Sequence, residues 1–136
     1  MITSSDRDQL LAKFNGNPPS NPTAIRQFET GSGFRLPDGF AEFLQQTNGG
    51  EGFVGNAYVI LWRIEEMLEM NKAYQVAKSA PGLFLFGSDG GGEAFALDTR
   101  SEAIPIVSVP FVGMELKLVR PIAPDFKSFL ETLYKI

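Results

Sequence analysis

Apolar side chains recur at intervals of three and four residues in five segments, and this spacing predicts five amphipathic helices. In the last segment, four apolar residues share one face: Phe126, Phe129, Leu130 and Leu133. Asn21 followed by Pro22 is typical of a helix start, and Ser5 with Asp8 three residues later resembles a capping box. The predicted helices span residues 5–14, 22–30, 37–47, 63–77 and 124–135.

Runs of β-branched and aromatic residues predict strands, mostly in the second half of the chain. Residues 58–62 read Tyr-Val-Ile-Leu-Trp, and residues 83–86 form a continuous apolar run, as in a strand covered on both faces. A glycine-rich turn at 87–92 follows, so the strands on either side should pair as an antiparallel hairpin. The predicted strands span residues 57–62, 83–88, 93–98, 103–110 and 115–122.

The order of these elements predicts an α+β fold. Consecutive strands with short links favour a mainly antiparallel sheet of about five strands, packed with helices on at least one face. A length of 136 residues suits a single domain. Residues 1–20 are expected to form an N-terminal helix and a Pro/Asn-rich loop, and residues 21–136 the α+β domain itself.

The core is predicted to be aromatic. The chain contains 12 Phe, and 43% of its residues are hydrophobic, which allows a well-packed interior. Eight aromatic side chains are expected to be mostly buried: Phe40, Phe43, Trp62, Phe84, Phe86, Phe95, Phe126 and Phe129.

Two absences in the composition exclude several kinds of chemistry. The chain has no Cys and no His, so it can form no disulfide, Cys/His zinc site, thiol nucleophile or imidazole base. No metal or cofactor is expected. The net charge of −4 argues against direct nucleic-acid binding, which needs a basic face, and permits a basic protein partner. No apolar run is long enough to span a membrane, and the polar, acidic start is unlike a signal peptide, so a cytoplasmic location is expected.

The glycine-rich turn is the first candidate site. A phosphate-binding loop needs a helix and often a Lys after its glycines, but here a predicted strand and Glu93 follow. Asp89, Glu93 and Asp98 lack the spacing of a calcium loop. The turn is therefore interpreted as a hairpin in which at least one of three glycines has positive φ: Gly90, Gly91 or Gly92.

Acidic residues line one edge of the predicted central helix: Glu65, Glu66 and Glu69. Such an edge is often only the solvated face of an amphipathic helix, and its alternative role is to contact Lys and Arg side chains of a partner. Trp62, the only Trp, is either a core residue or a half-exposed binding anchor. No nucleophile elbow, Walker motif or S-x-x-K motif is present, so the protein is not expected to be an enzyme.

Three groups of residues resemble, in their order and spacing, the signatures of the SUKH superfamily. The first is a helix start and a helix end: Leu36, Pro37, Asn48, Gly49 and Gly50. The second is a strand end and the acidic helix after it: Trp62, Asn71 and Tyr74. The third is the hairpin turn and the following strand: Gly87, Asp89, Gly90, Gly91, Gly92 and Asp98. The resemblance covers residues 21–136.

The superfamily contains fungal cell-wall-synthesis regulators and bacterial immunity proteins that bind and neutralise toxins, often nucleases. The resemblance therefore implies a non-catalytic, protein-binding α+β domain, and the compact chain is similar to the bacterial members. The expected contacts with a basic toxin are five acidic residues: Glu65, Glu66, Glu69, Asp89 and Glu93. The alternatives are a regulator or scaffold that binds an endogenous partner, and a small-ligand or enzymatic domain.

Overall fold

The computed structural model describes residues 2–136, and Met1 lies outside the described residues. Seven strands form one sheet in chain order, each antiparallel to the next. The α+β fold with an antiparallel sheet is confirmed, with seven strands in place of about five. The strands are β1 (Lys13–Gly16), β2 (Gly50–Val54), β3 (Ala57–Leu61), β4 (Leu83–Ser88), β5 (Glu93–Asp98), β6 (Ile106–Pro110) and β7 (Arg120–Ala123).

Six α-helices are found in residues 2–136, together with one 3-10 helix over Leu116–Leu118. They are α1 (Ser4–Leu10), α2 (Pro22–Ser32), α3 (Asp38–Gln46), α4 (Ile64–Ala73), α5 (Val76–Ser79) and α6 (Phe126–Tyr134). Asn21 caps α2 as predicted, since its side chain accepts from the Ala24 N–H at 2.8 Å. The predicted cap of α1 at Ser5 is wrong. Thr3 is the cap, and Thr3 with Asp6 forms a capping box of the same spacing, which the sequence offers equally well.

Three of the predicted elements are wrong in part, and strand β2 was not predicted. The first helix ends at Leu10, and Lys13–Gly16 forms strand β1, which pairs with the unpredicted β2. The predicted helix 63–77 is divided into α4 and α5 at Gln75, which adopts the left-handed conformation (φ 54°). Within the predicted strand 115–122, Leu116–Leu118 forms a 3-10 helix, and only Arg120–Ala123 pairs with β6. Glycines 50 and 52 conceal the apolar alternation of β2, so the pattern gives little signal there.

Phenylalanine rings form the centre of the core, as predicted. Phe86 is fully buried, and its ring contacts those of Phe40, Phe95, Phe126 and Phe129 at centroid distances of 5.1 to 6.4 Å. The rings come from strands β4 and β5 and from helices α3 and α6, so one cluster joins the sheet to both helices. All eight predicted core aromatics are buried or, in the case of Phe84, half-buried.

The two faces of the sheet differ in what they carry. Residues paired across adjacent strands point to the same face. The row Leu61, Gly87 and Phe95 therefore lies on the helix-covered face, whose aromatic residues contact α6. The row Glu51, Ile60 and Ser88 lies on the opposite face, which we call the outer face. On β2 and β3 the outer face carries three exposed side chains: Glu51, Phe53 and Tyr58.

Candidate functional site

Asn48 organises the start of helix α4 from a distant part of the chain. Its side chain is buried, its Oδ1 accepts from the Ile64 N–H at 2.9 Å, and its Nδ2 donates to Glu65 Oε1 at 2.7 Å. The amide thus satisfies one of the free N–H groups at the helix N-terminus. Glu65, expected to contact a partner, has one carboxylate oxygen in this internal contact.

Gly49 and Gly50 allow three strands to approach closely next to Asn48. Gly49 has φ 74°, and a Cβ atom there would lie 2.4 Å from the carbonyl oxygen of Leu61. Gly50 has φ 140°, and a Cβ atom would lie 2.3 Å from the carbonyl oxygen of Asn15. Larger residues fit neither position, so the Asn-Gly-Gly signature is explained by packing between β1, β2 and β3.

Asn71 fastens helix α4 to strand β4. Its Oδ1 accepts from the Leu85 N–H at 2.8 Å, and its Nδ2 donates to the carbonyls of Leu85 and Met67 at 2.9 and 2.8 Å. Strand β3 pairs with β4 only at residues 87 and 88, so Leu85 is beyond the last pair. The amide of Asn71 therefore takes the place of a neighbouring strand for the backbone of Leu85.

The remaining signature residues also have structural roles. Leu36 is buried, and Pro37 occupies the N-cap position of α3. Gly87 lies in β4 opposite Leu61, with no room for a side chain because a Cβ would be 2.3 Å from the Ile60 carbonyl oxygen.

The Arg100 guanidinium donates to the carboxylate of the buried Asp98 at 2.8 and 2.9 Å, which lowers the pKa of that carboxyl. Their ion pair lies next to the end of β5, where it holds the turn that begins at residue 99.

The hairpin turn is held by Asp89. Its Oδ1 accepts from the N–H groups of Gly91 at 2.8 Å and Glu93 at 3.2 Å, as expected for a carboxylate that bonds to its own turn. Gly90 has φ 82°, which confirms positive φ for one of the three glycines, and Gly91 and Gly92 do not have it. No group of three or more acidic residues in residues 2–136 is placed to hold a metal ion.

The acidic residues expected to bind a partner fall into two groups. Glu66 lies at the start of α4, where its Oε1 accepts from the backbone and side-chain nitrogens of Arg63, both at 3.2 Å. Glu69 is exposed farther along α4. Asp89 and Glu93 are at the hairpin. Ala94 pairs with Ser88 and so points to the outer face, and its neighbour Glu93 therefore points to the helix-covered face.

An open concavity of about 690 Å³ lies on the outer face at strands β1 to β3. Its lining includes Asn15, Glu51, Phe53, Tyr58, Trp62 and Glu66, and we call it the outer concavity. Asp89 and Glu93 line a different concavity, and Tyr58 borders both. The outer concavity therefore brings Glu66 together with Glu51 and two aromatic residues that the sequence analysis did not single out.

Aromatic side chains give the outer concavity a firm rim. The rings of Phe53 and Tyr58 meet edge to face at 5.2 Å, and they are 45% and 36% exposed. The Tyr58 hydroxyl donates to Glu51, and this hydrogen bond raises the pKa of Tyr58. Trp62 is buried and stacks in parallel on Tyr74, whose ring is 42% exposed. Trp62 is therefore a core residue that supports an exposed Tyr.

No helix within residues 2–136 has the length and apolar character needed to cross a bilayer.

Comparison with known proteins identifies the family of this chain. A search of curated proteins found no match. The model of the SMI1 / KNR4 family (SUKH-1) matches residues 19–132, a span that includes every signature residue described above. The chain therefore belongs to the SMI1 / KNR4 family (SUKH-1).

Proposed function

We propose that this protein is a non-catalytic binding module, and specifically an intracellular immunity protein that binds a basic toxin domain and blocks it. Family membership supports a protein-binding role. The observation that carries the proposal is the outer concavity, where two exposed aromatic side chains and Glu51 lie on a paired, hydrogen-bonded sheet and Glu66 of helix α4 completes the lining. Rigid aromatic anchors within a polar surface are typical of binding hot spots.

The charge of this surface selects the kind of partner. Glu51, Glu66 and one cation, Lys13, are the charged residues that line the outer concavity, and Glu69 is exposed on the same helix as Glu66. Asp89 and Glu93 line the neighbouring concavity, which Tyr58 also borders, and Glu93 points to the helix-covered face. We expect these carboxylates, together with that of Glu65, to contact a partner that carries Lys and Arg. A nuclease cleft is such a partner, because it is built to hold phosphates.

The mechanism is steric. A partner loop would bury Phe53 and Tyr58, and the carboxylates around them would steer the approach of its basic side chains. Steered association is fast at low salt and slows as salt screens the charges. No bond is made or broken in this process, so the protein acts at one copy per toxin.

The experiment is co-expression with a toxin encoded beside the gene, followed by measurement of complex formation and of toxin activity. The variant Phe53→Ala/Tyr58→Ala should weaken the complex by about 2 kcal/mol or more, roughly 30-fold in Kd. The matched control is Leu118→Ala, which truncates a residue of similar exposure (41%) on the 3-10 helix and should leave Kd unchanged.

Reversing the charge of exposed glutamates tests electrostatic steering of association separately from the aromatic contacts. The variant Glu66→Lys/Glu69→Lys should slow association strongly at low salt, whereas Glu102→Lys, at an exposed turn residue that lines neither concavity, should not. A neighbouring toxin that stays fully active and forms no complex at micromolar concentration would refute the immunity role, and a regulator of an endogenous partner would take its place. Equal binding by the aromatic variant and the wild type would place the contact surface elsewhere.

A further inference from the structure

A second concavity, of about 520 Å³, opens between the end of α2, helices α4 and α5, and the start of β4. We call it the helix groove. Its lining is mainly apolar and includes Phe34, Leu68, Val76, Leu83 and Phe84. Small-molecule sites typically have volumes of about 300–1,000 Å³ and an apolar lining with few polar groups. The helix groove shares no lining residue with the outer concavity.

The floor of the helix groove is held firmly in place. Phe34 and Phe84 meet edge to face at 5.4 Å, and both contact the buried ring of Phe28, at 5.9 and 5.1 Å. Phe34, Phe84 and Leu68 are only partly buried, so they present apolar surface within the groove. At Gly31 a Cβ atom would lie 2.8 Å from Leu68, which shows how closely α2 approaches α4 there.

The charges around this apolar floor all have one sign. Lys72 and Lys78 are the charged residues that line the helix groove. Both are exposed, and neither pairs with a carboxylate anywhere in the described part of the chain. The whole chain carries a net charge of −4, so a site with two cations and no lining carboxylate runs against the overall balance. An apolar floor beside free ammonium groups complements a ligand with an apolar body and an anionic end.

The backbone conformation of Gln75 places Lys72 and Lys78 on either side of a turn. It has φ 54° and ψ 43°, a left-handed conformation that is costly for a non-glycine residue. The turn it makes separates α4 from α5, and Lys72 precedes it while Lys78 follows it. A continuous helix over residues 63–77 would lack this turn.

We propose that the helix groove binds a small anionic amphiphile, an aliphatic chain that ends in a carboxylate, with the chain on the Phe34, Leu68 and Phe84 surface and the carboxylate beside Lys72 and Lys78. The site adds a ligand to a protein whose proposed function is to bind another protein, and it stands or falls independently of that function.

The test is a titration followed by the amide signals of nitrogen-15-labelled protein, with three probes that share an eight-carbon chain: octanoate, octan-1-ol and octylammonium. Octanoate should shift the amide signals of Leu68, Val76 and Phe84 saturably. The alcohol should bind more weakly at the same place, and the ammonium probe most weakly. This order separates the apolar contribution from that of the charge.

Charge-reversal variants test whether Lys72 and Lys78 contact the carboxylate of octanoate. Lys72→Glu/Lys78→Glu should weaken octanoate binding about tenfold and leave the alcohol unchanged, because two attractions become repulsions. Lys117→Glu/Lys135→Glu makes the same change in net charge at exposed positions outside the groove, and should leave both probes unchanged. Thermal unfolding of each variant verifies that it is folded.

Three results would overturn the proposal: no saturable shifts in the groove at millimolar octanoate, equal binding of octanoate and octylammonium, or equal loss from both double variants. Failure to bind a toxin would not affect these measurements, since the toxin is absent from them.

Discussion

Replacing Asn71 by alanine tests whether one buried side chain fastens helix α4 to the sheet. The substitution removes three hydrogen bonds of 2.8 to 2.9 Å. The Met67 carbonyl retains its partner within the helix, but Leu85 is fully buried and loses the partners of both its N–H and its C=O group. Each orphaned buried group costs about 1–3 kcal/mol, so we expect a loss of about 4 kcal/mol in the free energy of unfolding.

Urea unfolding followed by the fluorescence of Trp62 measures this loss. With a slope of about 2 kcal/mol/M, typical for a domain of this size, the midpoint should fall by about 2 M. The control Asn15→Ala removes the same amide from an exposed position on β1, and should change stability by less than about 0.5 kcal/mol. Amide exchange at Leu85 should accelerate in the Asn71 variant alone.

A loss below about 1 kcal/mol would refute this explanation of Asn71, because it would mean that Leu85 finds other partners at little cost. Asn71→Asp sharpens the test. The aspartate keeps an acceptor for the Leu85 N–H and loses the donor for the two carbonyls, so it should also be strongly destabilised at neutral pH. A stable Asp variant would show that the carbonyl contacts are dispensable.

Three other changes have defined outcomes. Gly49→Ala should destabilise by more than about 2 kcal/mol in urea unfolding, since it adds a clash to strained backbone, whereas Gly39→Ala, in open space within α3, should be neutral or stabilising by about 0.5 kcal/mol. Phe86→Ala should cost about 3–5 kcal/mol by the same assay, and a loss below about 1 kcal/mol would contradict its central place in the core. Arg100 lowers the folded-state pKa of Asp98, so the ion pair stabilises the folded protein at pH values above the unfolded-state pKa of this carboxyl. This stabilisation is lost as the pH falls through the folded-state pKa. Asp98→Asn should therefore be less stable than wild type near neutral pH and similar to it in strong acid.

The sequence predicted best those elements whose pattern and packing agree. Helices α2, α3 and α6 and strands β3, β4 and β5 lie close to their predicted positions, because their apolar residues face the same phenylalanine core. Strands β1 and β2 were missed because their glycines and asparagine carry no apolar alternation. Their backbones approach so closely that only glycine fits at Gly50 and Gly52, where a side chain would clash with β1.

The predicted last strand failed for a different reason. Met114, Leu116 and Val119 are apolar, as strand residues would be, but they pack against the core from a 3-10 turn and its flanks. Pairing between β6 and β7 begins only at Arg120. Local pattern reports that a residue is buried, and tertiary context decides whether it is buried from a strand or from a turn.

The candidate site was predicted only in part. Glu66 and Glu69 were singled out by their charge, but Phe53 and Glu51 belong to the missed strand β2, so their position on the outer face was not visible. Tyr58 was placed in its strand correctly without a role. An exposed aromatic residue gives the same sequence signal as a buried one, and only its neighbours in the sheet show which it is.

The signature residues and the candidate binding residues meet different physical demands. Asn48, Asn71 and Gly49 satisfy backbone groups or admit a close backbone approach, so they are fixed by the fold. Phe53 and Tyr58 project from the outer face, where another side chain of similar β propensity would fit as well. The same scaffold can therefore carry different exposed side chains, while the buried signature residues maintain the fold. The order of the signature residues is characteristic of the family. Under the proposed function, the identity of the partner would depend on residues that the fold leaves free.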